Sequence, residues 1–153
     1  MPNKNTTASP ESFTLITHII TTMSRLRNES DDGCHDRNRM QDSIEELFQR
    51  GIAETIMLHQ LIPNFVSQSW RREIIDVAES RGHIEILDVF LDLGLWQPTP
   101  HDIDIFLDLI VTNVECALVI TEEQRNNDRK TCLWYVTHGF LLLADLPPEL
   151  GLN

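Results

Sequence analysis

Residues 75–94, IDVAESRGHIEILDVFLDLG, contain the pattern that decides the fold class. Apolar residues at helical spacing stand on both sides of the Gly82-His83 dipeptide, and after it they are Ile84, Leu87, Phe90 and Leu91. Gly94 follows where a helix that ends in the left-handed conformation favours a residue without a Cβ. The pattern predicts two short helices joined by a tight turn. Because such a pair cannot bury its own apolar face, it must pack against neighbouring helices.

The same segment resembles an ankyrin repeat. The family's Gly-His turn and its Leu-Glu-Val-Val-x-Leu-Leu-Leu-x-x-Gly second helix, with the apolar positions before the turn, are matched at Ile75, Val77, Ala78, Gly82, His83, Ile84, Glu85, Ile86, Leu87, Val89, Phe90, Leu91 and Gly94. The sequence departs from the family at the start of the repeat, where Thr-Pro-Leu-His falls on Glu73 to Asp76 and only Ile75 agrees. The resemblance implies stacked helix–turn–helix repeats without catalytic activity.

Similar segments recur at a spacing close to one repeat. Gly51-Ile-Ala-Glu lies 31 residues before Gly82, and Thr112-Asn-Val-Glu lies 30 residues after it. We therefore expect three or four degenerate repeats, with the helix pairs at residues 40–61, 70–93 and 102–120 and a last unit at 131–143 that turns at Gly139. The alternative is a compact helical bundle whose helices of similar length imitate a repeat.

The predicted fold class is all-α, a short stack of ankyrin-like repeats with an N-terminal capping helix. Residues 1–10 are polar and predicted to be disordered, and residues 11–150 form a single all-α ankyrin-like domain. The capping helix runs from about Glu11 to Arg27, after a serine and a proline that favour a helix start. Residues 28–38 and 121–130 are predicted to be polar or charged loops.

The charge of the chain restricts its partners. Twenty-four Asp and Glu against twelve Lys and Arg give a net charge of −12. Such a chain repels phosphate backbones and anionic lipids, so we expect neither nucleic-acid nor membrane binding. A basic or apolar surface of another protein is the natural complement.

Targeting and cysteine patterns favour the cytoplasm or the nucleus. The apolar run from Phe13 to Met23 is too short to span a bilayer and lacks the flanks of a signal peptide. Three cysteines, Cys34, Cys116 and Cys132, leave at least one thiol unpaired in any disulfide scheme. Reduced cysteines are typical of intracellular compartments.

No residue pattern predicts an enzyme, a cofactor or a metal site. The six histidines share no metal-binding helical spacing, and Cys34-His35 has no second ligand pair at a zinc spacing. The enzyme alternative needs Cys132 as nucleophile and His138 as base, joined by an acid that the sequence does not place near them.

The predicted partner-binding residues lie in the connections between helix pairs, the edge at which ankyrin-like proteins bind. They are Gln68, Trp70, Arg71, Arg72, Trp96, Gln97, Thr99 and His101. Tryptophan and arginine dominate the binding energy of many interfaces, which favours the two loops that contain them. The alternative interpretation is that both indole rings close the ends of helices against the core.

We therefore expect a protein–protein interaction module that binds another protein and inhibits or bridges it. A pathogen-encoded modulator of host signalling or transcription suits the size, and the ending Leu146-Pro-Pro-Glu-Leu150 is similar to the opening of an F-box. The alternative is a helical-bundle regulator of cell death that binds an amphipathic helix in a groove. The apolar sides of the end helices leave open a monomer or a homodimer.

Overall fold

The computed structural model describes residues 10–28, 33–62, 67–115 and 120–152. All regular structure in these ranges is helical, which confirms the all-α prediction for them. The α-helices are α1 (Pro10–Asn28), α2 (Gly33–Arg50), α3 (Ile52–Leu61), α4 (Ser67–Ser80), α5 (Ile84–Asp92), α6 (Pro100–Glu115) and α7 (Glu122–Thr137). Two 3-10 helices follow at Leu143–Asp145 and Pro148–Leu150. No helix of the described ranges offers an apolar stretch of the length that a bilayer requires.

The chain divides into two compact units, Met1–Val77 and Ala78–Asn153, and the division falls inside α4. The single domain predicted over residues 11–150 stays a prediction. The disordered N-terminus predicted over residues 1–10 lies outside the described residues except for Pro10, which is the first residue of α1.

In the first unit, α1 packs against α2 and α3. The apolar side of α1 contributes Ile16 and Ile19 to the core, and α2 contributes Ile44 and Leu47. The capping-helix prediction thus gives the right element to within a residue at each end. Gly51 separates α2 from α3 at a φ of 145°, a conformation that glycine adopts without steric cost.

The polar loop predicted over residues 28–38 is wrong from Gly33 onward, because α2 begins there. Residues 33–39 continue the helix whose apolar side starts at Met40, and extending an existing helix is far cheaper than nucleating one. An ion pair from Arg37 Nε to Glu73 Oε1 of α4, at 3.4 Å, supports this extra turn.

The helix pair predicted around Gly82 is confirmed. The helix α4 ends with His83 N–H donating to the Ala78 carbonyl at 2.9 Å, and Gly82 takes a φ of 70°. Gly94 closes α5 in the same way, with a φ of 69° and a bond from Leu95 N–H to the Phe90 carbonyl at 2.9 Å. Both ends are Schellman motifs, in which a left-handed glycine lets the last carbonyls find donors.

The third helix pair, predicted over residues 102–120 with a turn at Thr112, is wrong as far as the structure describes it. The helix α6 runs without interruption from Pro100 to Glu115, and residues 116–119 lie outside the described ranges. Thr112-Asn113 contains no glycine, whereas both confirmed turns, at Gly51 and Gly82, do. A turn at Thr112 would therefore require a side-chain-bearing residue in a strained conformation.

The charged loop predicted over residues 121–130 is also wrong, because α7 begins at Glu122. Thr121 caps this helix by accepting a hydrogen bond from Gln124 N–H at 3.0 Å. Glu122 and Glu123 place negative charge in the first turn, where the helix dipole favours it.

The last unit turns at Gly139 as predicted, with a φ of 78°, but no second α-helix follows. Only the 3-10 turn Leu143–Asp145 forms after it. Leu146 and Leu150 of the F-box-like ending are buried, and Arg129 Nε of α7 donates to the Leu150 carbonyl at 2.8 Å. This ending is therefore part of the fold of the second unit.

Candidate protein-binding surface

A buried polar network fixes α7 to the end of α4 in the second unit. Thr131 Oγ1 donates to the Glu79 carbonyl at 2.6 Å, and the Tyr135 hydroxyl donates to Glu79 Oε2 at 2.9 Å. Thr131, Tyr135 and Glu79 are all at most 1% exposed. Gly82 permits the close approach of the two helices, since a Cβ there would lie 3.2 Å from the Asn127 Cα. These contacts hold α7 in a fixed position against the end of α4.

An aromatic cluster lies at the C-terminal end of α7. Trp134 stacks on Trp96 with ring centroids 5.9 Å apart, and the His138 ring lies 4.2 Å from the Trp134 ring. Trp134 Nε1 donates to Asp88 Oδ1 at 2.7 Å, and His138 Nε2 lies 3.3 Å from the same oxygen. The cluster joins α5, α7 and the connection before α6.

The histidine of this cluster is held on both sides. His138 Nδ1 lies 2.8 Å from the Trp134 carbonyl, which only accepts hydrogen bonds, so this nitrogen carries a proton. His138 Nε2 faces Asp88 at 3.3 Å. Both ring nitrogens therefore face oxygen atoms of the protein, which fixes the orientation of the imidazole ring.

The cysteine of the enzyme alternative is inaccessible. Cys132 is fully buried, and burial, with the charges of Asp128 and Glu79 adding to it, raises the pKa of its thiol to about 12. A buried thiol that keeps its proton is neither a nucleophile nor a metal ligand at neutral pH. In the described part of the chain, no three His, Cys, Asp or Glu side chains come together as metal ligands would.

The predicted binding residues before the second helix pair do not lie in a connection. Gln68, Trp70, Arg71 and Arg72 all belong to the first two turns of α4. Trp70 is 8% exposed and packs in the core, as the alternative interpretation has it. Arg72 Nε forms an ion pair with Asp76 Oδ1 at 2.8 Å, one turn further along the helix. The side chain of Gln68 is outside the described set.

The predicted binding residues before α6 do lie in a connection or in the first helical turn. Trp96 is half-buried against Trp134, whereas Gln97 and His101 are exposed. The Thr99 hydroxyl accepts from Asp102 N–H at 3.1 Å, and the Asp102 carboxylate accepts from Thr99 N–H at 3.1 Å. This capping box gives Thr99 a structural role at the start of α6.

Sequence reasoning missed the exposed side of α6. Three residues at helical spacing, Ile103, Phe106 and Ile110, turn inward, and Phe106 packs on Tyr135 of α7 with centroids 6.0 Å apart. The opposite side is exposed in two parallel rows four residues apart. The apolar row consists of Ile105 and Leu109 and is preceded by His101, and the acidic row consists of Asp104 and Asp108 and is followed by Thr112. These six residues are the α6 outer face.

The apolar row contains two well-exposed aliphatic side chains. Ile105 is 41% exposed and Leu109 is 55% exposed, on a helix that already has a complete apolar side in the core. An amphipathic helix needs only one such side to fold. The folding of α6 therefore does not require this second apolar row.

Every Asp, Glu, Lys or Arg on α6, and in the sequence on both sides of it, is acidic. Residues 82–124 contain nine Asp and Glu and no Lys or Arg. The second unit has thirteen acids against four bases, a net charge of −9, whereas the first unit has eleven against eight, a net charge of −3. The sequence contained this signal, since a 43-residue run without a basic residue is visible without a structure.

Comparisons with protein-family models, with curated proteins and with solved structures gave no match. The resemblance to ankyrin repeats thus rests on the residues of the chain alone. A function for the α6 outer face has to be inferred from its own residues as well.

Proposed function

We propose that the chain is a non-enzymatic protein-binding module that recognises a partner protein through the α6 outer face. The observation that supports this most directly is the exposure of Ile105 and Leu109 beside the carboxylates of Asp104 and Asp108. Exposed apolar residues rimmed by charge are typical of protein interfaces. Binding there would be enough to inhibit or to bridge the partner.

The charge of the second unit selects a protein over other macromolecules. Its net charge of −9 opposes the approach of nucleic acid and of anionic lipid headgroups. The same field accelerates encounter with a basic protein surface, and the apolar row then adds contact area once the surfaces meet.

The α6 outer face is also presented in a fixed conformation. The Thr99–Asp102 capping box holds the start of α6, and Ile103, Phe106 and Ile110 hold its inner side. A partner would therefore bind a preformed helix surface, which lowers the entropic cost of association.

The finer parts of the hypothesis are proposals as well. The tight turns at Gly51 and Gly82, each between two helices, support the resemblance to ankyrin repeats. The unpaired thiol of Cys132 supports a reducing compartment, the cytoplasm or the nucleus.

The test is affinity capture with three forms of the intact chain. The wild type is compared with Ile105→Ser/Leu109→Ser and with the control Leu142→Ser/Leu143→Ser, which removes two exposed leucines outside α6. All three must first show the same helical circular dichroism. A protein retained by the wild type and the control but lost by the α6 variant supports the proposal. Equal retention by all three forms refutes it.

A further inference from the structure

We infer that the segment of the partner that binds the α6 outer face is a cationic amphipathic helix, with a row of Lys or Arg beside a row of large aliphatic residues. This inference rests on the proposed function and names the chemistry of the partner. It follows from the arrangement of the two rows, from their charge and from the length of the face.

The two rows have the geometry of one side of a helix–helix contact. Asp104 and Asp108 are four residues apart, as are Ile105 and Leu109, so each pair is separated by one helical turn of roughly 6 Å. A second helix laid alongside presents its own side chains at the same interval. Basic residues at positions i and i+4 of that helix can reach both carboxylates while neighbouring aliphatic residues cover the apolar row.

The length of the face fits a short segment. From His101 to Thr112 the face extends over 11 residue steps of α6, which corresponds to roughly 16 Å. A partner helix of about three turns would cover it. The interface would be small, so we expect a weak and transient complex in which charge sets the rate of association.

Charge complementarity separates this occupant from a second copy of the chain. A symmetric contact between two α6 outer faces would bring the carboxylates of Asp104 and Asp108 toward those of the other copy, with no Lys or Arg between residues 82 and 124 to neutralise them. Like charges placed together across an interface are unfavourable. A basic partner removes this repulsion and replaces it with attraction.

The first experiment selects binders without assuming their sequence. A display library of 20-residue helix-forming peptides, randomised at its surface positions, is selected on the intact chain. Expected are enriched peptides with Lys or Arg at i and i+4 next to Leu or Ile at the same interval. Enrichment of peptides without a basic row, or no enrichment over the bare support, overturns the inference.

The second experiment measures the most enriched peptide by fluorescence anisotropy against protein variants. Asp104→Asn/Asp108→Asn should raise the Kd by about two- to thirty-fold, the effect of losing two charge pairs, and should flatten the salt dependence. The matched control, Asp145→Asn/Glu149→Gln, removes the same charge from exposed positions of the second unit and should change the Kd less than two-fold. Equal losses in both variants would show only long-range attraction and overturn the inference.

Failure of the inference can be told apart from failure of the proposed function. If the captured partner is lost on Ile105→Ser/Leu109→Ser but kept on Asp104→Asn/Asp108→Asn at all salt concentrations, the face binds a protein that is not cationic and only the inference fails. If neither variant affects capture, both fail. If the wild type sediments as a dimer that Ile105→Ser/Leu109→Ser dissociates, a second copy covers the face, and the inference is overturned.

Discussion

The chemical inertness of Cys132 is the sharpest quantitative expectation from this structure. Burial and the nearby carboxylates raise its thiol pKa from the ordinary 9.0 to about 12. At pH 8 the thiolate fraction is therefore lower by about a thousand-fold than for an exposed thiol, before any steric protection is counted. Since only the thiolate attacks alkylating reagents, the labelling rate should fall by at least that factor.

The assay uses a Cys34→Ser/Cys116→Ser background, in which Cys132 is the remaining thiol. Iodoacetamide labelling at pH 8 is followed by mass spectrometry in native buffer and in concentrated urea, where the thiol is exposed. A matched control places an exposed cysteine by Leu142→Cys with Cys132→Ser in the same background. The control should react at nearly the same rate in both conditions, and Cys132 should react at least a thousand-fold more slowly when native.

A native rate within about ten-fold of the denatured rate would refute this reasoning, because it would mean an accessible and ionised thiol. It would also restore the Cys132–His138 nucleophile hypothesis. The raised pKa also predicts that the free energy of unfolding decreases as the pH rises. The folded protein keeps a proton that the unfolded chain loses above pH 9, so Cys132 makes stability fall between pH 9 and about 12, by roughly 1.4 kcal/mol per pH unit. The Cys132→Ser variant should lack this slope.

Three further perturbations test contacts within the units, two of them in the second unit and one in the first. Gly82→Ala should cost at least about 1 kcal/mol more than Gly94→Ala in urea unfolding, since both have a positive φ but only the Gly82 Cβ would crowd Asn127; equal costs would contradict the close approach of α7. Tyr135→Phe should lower the free energy of unfolding by about 1.5–3 kcal/mol, because it removes the 2.9 Å hydrogen bond to the Glu79 carboxylate. A double-mutant cycle with Glu79→Gln should show that the two effects are coupled, and additive effects would argue against the hydrogen bond. Burial, together with the charge of Arg71, lowers the pKa of His59 below 6.5, so stability should fall as the pH drops through 6.5. His59→Gln should reduce this slope in thermal unfolding, and an unchanged slope would contradict the lowered pKa of His59.

The turns that could be predicted from the sequence are those that a glycine makes. Gly82, Gly94 and Gly139 all take left-handed conformations at the positions where the sequence predicted a turn. These residues signal locally, because few other residues adopt a positive φ without strain. The turn predicted at Thr112 was based only on similarity to the other segments, and without a glycine α6 continued through it.

Helix starts were harder to predict because polar residues serve both loops and helix caps. Thr121-Glu122-Glu123 suggested a charged loop, yet a threonine followed by acids also caps a helix, and the structure shows this use. For the same reason, the sequence did not predict the first turns of α2 and α4. A polar segment becomes a helix start when the residues after it form a helix that packs against the rest of the protein. The residues that provide this packing are distant in the sequence, so a local pattern does not reveal them.

The candidate site was missed for a different reason. Interface preferences directed attention to Trp70 and Trp96, but both rings are mostly used for packing, one in the core and one against Trp134. Ile105 and Leu109 looked like ordinary core residues, because an apolar helix segment does not reveal which of two apolar sides faces inward. The inward position of Phe106, set by its contact with Tyr135, resolves that choice.

The separation of core and surface on α6 decides which experiment can assign a function. A Trp70→Ala/Trp96→Ala variant would remove a buried ring of the first unit and a ring stacked on Trp134 in the second, so a loss of binding would not be distinguishable from a loss of folding. Ile105 and Leu109 lie opposite the buried positions of the same helix, so each replacement should change the free energy of unfolding by less than about 0.5 kcal/mol. Any large loss of binding by the Ile105→Ser/Leu109→Ser variant can then be attributed to the surface itself. A loss of stability comparable to that of a core substitution would instead show that the α6 outer face is covered in the folded protein, and binding would have to be sought elsewhere.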